Sequence, residues 1–224
     1  MSLNKSRGNM YSWVTHTWSP VRGCEFDCQY CYVKSMRGYS TEPRIVEKEL
    51  TFSLGENKTI FVCSMADLFG SWISGDWINK VLSHCNKYPK NTYLFQSKNP
   101  RRFLNYMDKF PKNTILGTTI ETNRDFTLIS KAPNKISRSA AMREIQSFKK
   151  EITIEPIMMF DLDEMVNLIE KAKPNFVAIG ADSKGHGLPE PTSEEIGQLI
   201  CELKKFTDVK IKKNLYRIWD EVKE

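Results

Sequence analysis

The sequence predicts an α/β fold built on a parallel sheet, and two observations support this prediction. Short apolar runs rich in β-branched residues recur along the chain, and continuous apolar runs of this length indicate strands that are buried on both faces. Segments with the helical spacing of apolar residues separate most of these runs. Such alternation implies right-handed βαβ crossovers, and therefore strands that run parallel to one another.

The predicted strands begin just before a group of cysteines. Residues 11–18 alternate aromatic or branched residues with small polar ones, which predicts a first strand. Further strands are predicted at residues 59–63, 92–96, 114–118, 151–155 and 175–180, with a seventh at 209–212. These strands give six strand–helix units, which are too few for a closed eight-stranded barrel.

Helices are predicted between the strands from apolar spacing and from their start signals. Apolar residues share one face at 77–85, at 103–107 after Asn99-Pro100, at 165–169 after Asp161, and at 196–203 after a capping box that starts at Thr192. A short helix is predicted at 30–36. Residues 39–57, 123–137 and 181–191 are predicted to be mostly loop.

Length and composition predict a single domain over residues 1–224. The chain is 40% hydrophobic and contains five Trp and twelve Phe, which is enough for a sizeable core. No apolar run reaches the length of a signal peptide or a membrane span, so we expect a cytoplasmic protein that has no membrane partner. Cys63, Cys85 and Cys201 stand apart in apolar segments, which predicts buried free thiols in a reducing compartment.

Three further cysteines, Cys24, Cys28 and Cys31, lie in one short loop. The loop is too tight to pair three cysteines among themselves, so a soft-metal site is the leading interpretation. Cysteine thiolates hold iron–sulfur clusters, and a complete cubane normally takes four of them, so three would leave one iron open. A zinc site completed by His16, His84 or His186 is the alternative, and three thiols without a metal is the other.

The spacing C-x3-C-x2-C, with Tyr30 before the last cysteine, resembles the cluster loop of the radical S-adenosylmethionine (SAM) superfamily. The resemblance implies a partial (β/α)6 TIM-like barrel, a 4Fe-4S cluster and bound SAM. In that family the reduced cluster cleaves SAM and yields a 5′-deoxyadenosyl radical, and the electron comes from an external donor such as flavodoxin or ferredoxin. A doubly wound open sheet is the structural alternative.

Residues 17–24, 61–69, 95–100 and 154–156 look like a largely uncharacterised, often phage-borne branch of that superfamily. This branch is distantly similar to spore photoproduct lyase. The similarity implies the cofactors better than it implies the substrate.

Polar residues at the carboxyl ends of the predicted strands are the candidates for cofactor contacts, because parallel α/β folds bind ligands there. By resemblance, Ser64 and Asp67 would meet the methionine amino group of SAM, and Lys98 would meet its carboxylate or a substrate phosphate. The other expected cofactor contacts are Tyr30, Tyr32, Thr118, Glu121, Glu155, Gly180 and Asp182. Asp67 could instead cap a turn, and Glu121 or Glu155 could pair with a buried Arg or Lys.

Cys63, at the end of the second predicted strand, has two interpretations. Its thiol could return a hydrogen atom to a substrate radical, as in spore photoproduct lyase. Alternatively, Cys63 is an ordinary core residue, because free cysteines are readily buried.

The net charge is +6, and the basic residues gather in three places. These groups are Lys98, Arg101 and Arg102; Lys131, Lys135, Arg138 and Arg143; and Lys210, Lys212 and Lys213. They are either solvated surface or contacts to a phosphate-bearing substrate. We therefore expect a radical SAM enzyme that repairs or modifies DNA, RNA or a nucleotide. The alternatives are the same chemistry on a peptide or small metabolite, and a zinc-stabilised nucleic-acid-binding module without catalysis.

Overall fold

A computed structural model describes residues 3–126 and 129–220. The strands are β1 (Asn4–Lys5), β2 (His16–Trp18), β3 (Val21–Arg22), β4 (Arg44–Ile45), β5 (Thr59–Val62), β6 (Thr92–Gln96), β7 (Thr114–Thr119), β8 (Lys149–Ile154), β9 (Phe176–Ile179) and β10 (Asp208–Ile211). Eight of them form one sheet in the order β1-β2-β5-β6-β7-β8-β9-β10. The strands from β2 to β10 in this sheet pair in parallel, and only β1 is antiparallel. The predicted parallel sheet is therefore confirmed.

Four α-helices connect the later strands: α1 (Gly75–Asn86), α2 (Lys135–Glu144), α3 (Leu162–Ala172) and α4 (Ser193–Lys204). Shorter 3₁₀ helices span Tyr32–Ser35, Glu47–Thr51, Pro100–Tyr106 and Lys213–Arg217. The capping box predicted at Thr192 is present, because the Thr192 hydroxyl accepts from the amide of Glu195 and the Glu195 side chain accepts from the amide of Thr192. Among the described residues, no helix combines the length and the apolar composition that crossing a membrane requires.

The two faces of the sheet are covered differently. On one face, side chains such as Ile60, Leu116 and Ile152 pack with all four helices in a single core. On the other face, Leu94, Ile115, Phe176 and Ala178 pack against Tyr11 and Val14 from the N-terminal segment. A doubly wound sheet carries helices on both faces, so this one-sided helix layer argues against that alternative. Strand pairing in the described residues runs from β1 at one edge to β10 at the other, so the barrel itself stays a prediction.

The first strand and one helix differ from the sequence prediction. Strand β2 covers only residues 16–18 of the predicted 11–18. Tyr11 instead packs on the face of the sheet opposite the four helices. Helix α2 begins inside the predicted loop 123–137. Its buried positions include Lys135, Arg138 and Ser139, so the helix lacks the large apolar stripe by which amphipathic helices are recognised in a sequence.

Candidate active site

A cavity of about 530 Å³ lies at the carboxyl ends of the parallel strands, within the size range of small-molecule sites. All but three of the predicted site residues line it. They are Cys24, Cys28, Cys31, Tyr30, Tyr32, Cys63, Ser64, Asp67, Lys98, Glu155 and Asp182. The fold therefore brings together residues that the sequence spreads over more than 150 positions.

The backbone of the cysteine loop is anchored on both sides. At its start, Gly23 has a φ of +84°, and a Cβ there would lie 2.0 Å from the carbonyl oxygen of Glu42, so only glycine fits. The Phe26 ring packs edge-on against Trp72 with 4.6 Å between centroids. The amide of Gln29 donates to the carbonyl oxygen of Ile129 over 2.8 Å. These contacts hold the loop against the cavity.

The three thiols of this loop suit a soft metal by their chemistry. None of them forms a disulfide, and all three line the same cavity. Burial, followed by the nearby Asp67 carboxylate, raises the pKa of Cys24 to about 12, and burial also raises the pKa of Cys31. Metal binding would therefore have to displace protons from the thiols.

The thiols are not yet arranged as a closed ligand set. In residues 3–126 and 129–220, no three His, Cys, Asp or Glu side chains are grouped closely enough to hold a metal ion as they stand. The Cys28 sulfur lies 3.1 Å from the Ser130 hydroxyl oxygen, with which it shares a hydrogen bond. Because cysteine thiolates are the ligands of iron–sulfur clusters, the three side chains fit a cluster by their chemistry. To bind one, the loop would have to bring its three sulfurs closer together.

The predicted zinc alternative has no histidine at the cavity. His16 Nδ1 lies 2.9 Å from the Thr15 hydroxyl, and His84 Nε2 lies 2.9 Å from the carbonyl oxygen of Phe52. His186 Nδ1 lies 2.6 Å from Asp182. Since none of the three histidines lines the cavity, a Cys3His site has no support here.

Glu121 is the centre of a buried ion-pair cluster and does not line the cavity. Its carboxylate lies 3.0 Å from Lys98 Nζ and 3.1 Å from Arg138 Nη1, and it accepts a hydrogen bond from the Tyr30 hydroxyl. Burial alone would raise the pKa of Glu121, but Arg138 and Lys98 outweigh burial and hold it well below its usual value. The ion-pair alternative thus describes Glu121 in this fold, and its contact with the ribose stays a prediction.

Asp67 joins the ends of two neighbouring strands. One of its oxygens accepts from the Ser97 hydroxyl over 2.7 Å and from the amide of Phe69 over 3.0 Å, and the other accepts from the amide of Lys98 over 2.7 Å. Burial raises its pKa. The bond from the Phe69 amide shows that Asp67 caps the turn that follows it, which was its alternative role. Asp67 also lines the cavity, so its contact with SAM stays a prediction.

Two further expected contacts, Thr118 and Gly180, lie away from the cavity. The Thr118 side chain is fully buried and donates to the carbonyl oxygen of Ser97 over 2.7 Å, whereas the next residue, Thr119, lines the cavity. Successive side chains in a strand point to opposite faces, so an error of one residue reverses the assignment. At Gly180, a Cβ would lie 2.8 Å from both Asn214 Oδ1 and Glu155 Oε1, so a side chain does not fit there. A cofactor contact from Gly180 stays a prediction.

Glu155 lines the cavity but is also paired. Its Oε2 lies 2.5 Å from Lys212 Nζ, and its Oε1 accepts from Asn9 over 2.7 Å and from Asn214 over 2.9 Å. Glu155 therefore forms the ion pair that was its alternative role. Its partner, Lys212, belongs to the third group of basic residues in the sequence. A ribose contact from Glu155 stays a prediction.

Sequence reasoning missed a polar network inside the sheet. The Tyr11 hydroxyl donates to Gln96 Oε1 over 3.1 Å and lies 2.7 Å from Thr153 Oγ1. Gln96 in turn donates to the Thr119 hydroxyl over 3.1 Å. All four residues line the cavity. The signal in the sequence is weak, because Gln96 and Thr119 each end a strand and Thr153 lies one residue before the end of β8, in runs that are otherwise largely apolar.

Glu151 lies beneath this network and is fully buried. One of its oxygens accepts from the Thr153 hydroxyl over 3.2 Å, and the other has no hydrogen-bond partner in the described part of the chain. Burial raises its pKa to about 8. The side chain is therefore mostly a neutral acid at pH 7.

Cys63 has an unusual backbone for a cysteine. It directly follows strand β5 and lies in the left-handed region with a φ of +58°, and its amide donates to the carbonyl oxygen of Trp18 over 2.7 Å. Its side chain is buried and lines the cavity, and burial raises the pKa of the thiol to about 12. Non-glycine residues in this conformation are uncommon and concentrate at functional sites.

Comparison with known proteins gives a family and a fold. A family described as "Protein of unknown function (DUF5131)" matches residues 9–190. A solved cysteine-to-serine variant of spore photoproduct lyase is similar with a TM-score of 0.67 at 12% identity, covering 92% of this chain and 78% of that one. The same lyase complexed with dinucleoside spore photoproduct gives 0.67 at 11% identity with the same coverage.

A double variant of that lyase, solved with bound AdoMet and dinucleoside spore photoproduct, gives a TM-score of 0.58 at 13% identity. The match covers 90% of this chain and 64% of that one. No curated protein matches the sequence. At these identities the likeness shows the fold, which this chain shares with spore photoproduct lyase.

Proposed function

Because this chain belongs to the DUF5131 family of proteins of unknown function, we propose its function from its own site. It is a radical SAM enzyme that binds a 4Fe-4S cluster through Cys24, Cys28 and Cys31. It uses SAM to repair or modify a nucleic-acid base or a nucleotide. The observation that carries this proposal is the shared cavity, which is lined by the three loop thiols, by Cys63 and by the polar ends of the parallel strands.

The comparison supports both the cofactor and the substrate class. The lyase that shares this fold has been solved with AdoMet and with a dinucleoside spore photoproduct. Here the cysteine loop and the polar network line one cavity of about 530 Å³. A cofactor and a substrate base could therefore meet in one cavity.

When bound, a reduced 4Fe-4S cluster supplies the electron that cleaves SAM into methionine and a 5′-deoxyadenosyl radical. The residues of this chain would hold SAM in position. The Tyr32 hydroxyl donates to the carbonyl oxygen of Ser64 over 2.8 Å and so ties the cysteine loop to residues 64–67, where we expect the methionine end of SAM. Lys98 is already paired with Glu121 and lines the same cavity. It offers its remaining hydrogens to the SAM carboxylate.

The side of the cavity formed by Gln96, Thr119, Thr153 and Glu155, which we call the strand wall, suits a nucleobase. Gln96, Thr119 and Thr153 offer neutral hydrogen-bond donors and acceptors at fixed positions, because each is already oriented by a neighbour. A base edge is recognised by such groups. Fixed neutral groups discriminate well, because a mismatched ligand leaves a buried polar group unpaired.

Cys63 is the residue that we expect to donate a hydrogen atom to a substrate radical. Its thiol is buried, lines the cavity and keeps its proton at neutral pH, since burial raises its pKa to about 12. The left-handed backbone at Cys63 is the strain that favours a functional role over simple packing.

The test is the formation of 5′-deoxyadenosine by the anaerobically reconstituted protein. Dithionite and SAM are added, and the product is measured by mass spectrometry with and without DNA or RNA oligonucleotides, both intact and ultraviolet-irradiated. We expect 5′-deoxyadenosine to form and an oligonucleotide to increase its yield. Formation without any nucleic-acid effect would support a peptide or metabolite substrate. No 5′-deoxyadenosine from an iron-loaded protein would contradict the proposal.

A further inference from the structure

The cations around the cavity fall into two groups. Lys98 and Lys212 are buried and paired with Glu121 and Glu155. Arg7 and Lys184 also line the cavity, but both are exposed, and neither forms an ion pair within residues 3–126 and 129–220. The cavity therefore carries two cations with uncompensated charge.

The loops that carry these two cations are joined by hydrogen bonds. Asn9, two residues after Arg7, donates to the hydroxyl of Ser183, the residue before Lys184, over 3.2 Å. Asn214 donates to the same hydroxyl over 2.9 Å, and its amide donates to Asn9 Oδ1 over 3.4 Å. Arg7 and Lys184 are thereby placed on adjacent loops on one side of the cavity.

The conformation of the Lys184 loop is fixed from within. Asp182 accepts from the amide of Lys184 over 3.1 Å and from the ring and the amide of His186. Arg217 donates to the carbonyl oxygen of Asp182 over 3.1 Å. The backbone from which the Lys184 side chain extends is therefore held in one conformation by hydrogen bonds.

The acids near these cations are already engaged. Glu155 is bonded to Lys212, Asn9 and Asn214, and Asp182 is bonded to His186. An anion that lies between two unpaired cations is attracted by both of them. An Arg fork with a Lys point charge is a common phosphate-binding pair.

We propose that Arg7 and Lys184 form a phosphate site that binds the backbone of a nucleic-acid strand whose base occupies the cavity. The choice of a nucleic-acid phosphate rests on the proposed function; the anion site itself rests on the geometry. The three groups of basic residues in the sequence do not form this site. Several of their members are already in ion pairs: Lys135 with Asp125, Arg138 with Glu121 and Lys212 with Glu155.

Salt-dependent binding of a fluorescein-labelled ten-nucleotide single-stranded DNA tests the proposal. The double variant Arg7→Ala/Lys184→Ala is compared with the unmodified chain by fluorescence anisotropy between 50 and 200 mM salt. Each lost phosphate contact lowers the logarithmic salt slope by about 0.7, so two lost contacts make the affinity of the variant about sevenfold less sensitive to this range. We also expect the variant to bind more weakly at low salt.

Lys112→Ala/Lys149→Ala is the matched control. It removes the same charge from two exposed lysines at the amino-terminal ends of β7 and β8, away from the cavity. We expect this control to keep the unmodified salt slope. A control slope as low as that of the Arg7 and Lys184 variant would show general charge attraction and overturn the proposal. Unchanged thermal midpoints would show that both variants fold.

Competition then identifies the source of the phosphate. Displacement of the probe by a nucleoside 5′-monophosphate but not by the nucleoside supports a terminal phosphate at the site. Displacement only by unlabelled oligonucleotide supports an internal phosphodiester. Probe binding that does not differ between the unmodified chain and the Arg7 and Lys184 variant, or no probe binding at all, overturns the site.

These outcomes are separable from those of the proposed function. A protein that forms 5′-deoxyadenosine but binds the probe without help from Arg7 and Lys184 would keep the activity and lose the phosphate site. The reverse result, salt-dependent binding through these residues without SAM cleavage, would keep the site and lose the radical chemistry.

Discussion

The two walls of the cavity are built in opposite ways. The loop wall, residues 24–33 and 63–67, presents thiols and backbone groups. Of its three loop thiols, only that of Cys28 has a side-chain partner among the residues that the structure describes, namely Ser130. The strand wall, which contains Gln96, Thr119, Thr153 and Glu155, is hydrogen-bonded throughout. The thiol side chains of the loop wall can therefore move toward a cofactor, whereas the side chains of the strand wall are held in place before any ligand binds.

The largest expected effect lies on the loop wall, in the replacement Cys28→Ala. A cluster held by three thiolates cannot lose one without losing its hold on an iron, so we expect reconstituted iron and 5′-deoxyadenosine formation to be lost. Thermal unfolding of the metal-free protein should change little. Cys201→Ala is the control, at a thiol that lies far from the loop in sequence. The sequence prediction that Cys201 is buried is wrong, because its position on helix α4 is exposed. Full iron content in Cys28→Ala would sink the three-cysteine assignment.

On the strand side, Glu121→Gln should cost the most stability. The change leaves Lys98 and Arg138 buried without a carboxylate, a loss of about 3–5 kcal/mol in the free energy of unfolding. Urea denaturation measures it. Glu144→Gln, which removes an exposed pair with Arg101, should cost only about 0–1 kcal/mol. Equal costs for the two variants would contradict the buried-cluster account.

The same cluster predicts an acid dependence. Because the pKa of Glu121 is lowered in the folded state, its contribution is complete above the ordinary value of about 4.5 and declines as the pH falls below it. Glu121→Gln should therefore lose its stability deficit progressively as the solution becomes acidic. A deficit that grows below pH 4 would refute this sign.

Glu151→Gln should have a smaller effect of the opposite kind. The folded pKa of Glu151 is raised to about 8, so the folded state binds more protons than the unfolded state between about pH 4.5 and 8, and stability falls as the pH rises through this range. The neutral amide escapes this cost, and we expect the variant to gain stability relative to the unmodified chain as the pH rises from 5 to 9. Denaturation curves at pH 5 and pH 9 provide the comparison. A gain that does not increase with pH would mean that Glu151 is ionised in the fold.

Cys63→Ala should be the mildest change. Removing one buried sulfur costs about 1 kcal/mol of stability, and the cluster ligands remain. We therefore expect iron content and 5′-deoxyadenosine formation to persist, while any product that requires hydrogen return is lost. Cys85→Ala, at a buried thiol that does not line the cavity, is the matched control. A loss of iron in Cys63→Ala would place this thiol among the metal ligands instead.

The sequence predicted what depends on local pattern. Strands β5 to β10 and the cap at Thr192 follow from apolar runs and capping chemistry, and the cysteine spacing indicated the loop wall. The sequence does not distinguish Thr118 from Thr119, because a run buried on both faces gives no sign of which side chains point into the cavity. Helix α2 was missed because Arg138 and Ser139 occupy its buried face, where they bond to Glu121 and to the carbonyl oxygen of Leu168.

Partners distant in sequence were beyond local reasoning. Glu121 is an ion-pair centre only because α2 delivers Arg138, and Glu155 is neutralised only because β10 leads into Lys212. Arg7 and Lys184 become one site only through Asn9, Ser183 and Asn214. The branch of the family, the cytoplasmic location and the electron donor stay predictions.

The central claim is that three cysteines hold a cluster with an iron open to SAM. The most direct measurement is electron paramagnetic resonance of the reduced, reconstituted protein, with hyperfine coupling to SAM labelled with ¹⁵N at its amino group. We predict a 4Fe-4S signal that changes on addition of SAM and shows coupling to the labelled nitrogen. A signal indifferent to SAM, or a colourless protein that retains zinc after reconstitution, would contradict the claim.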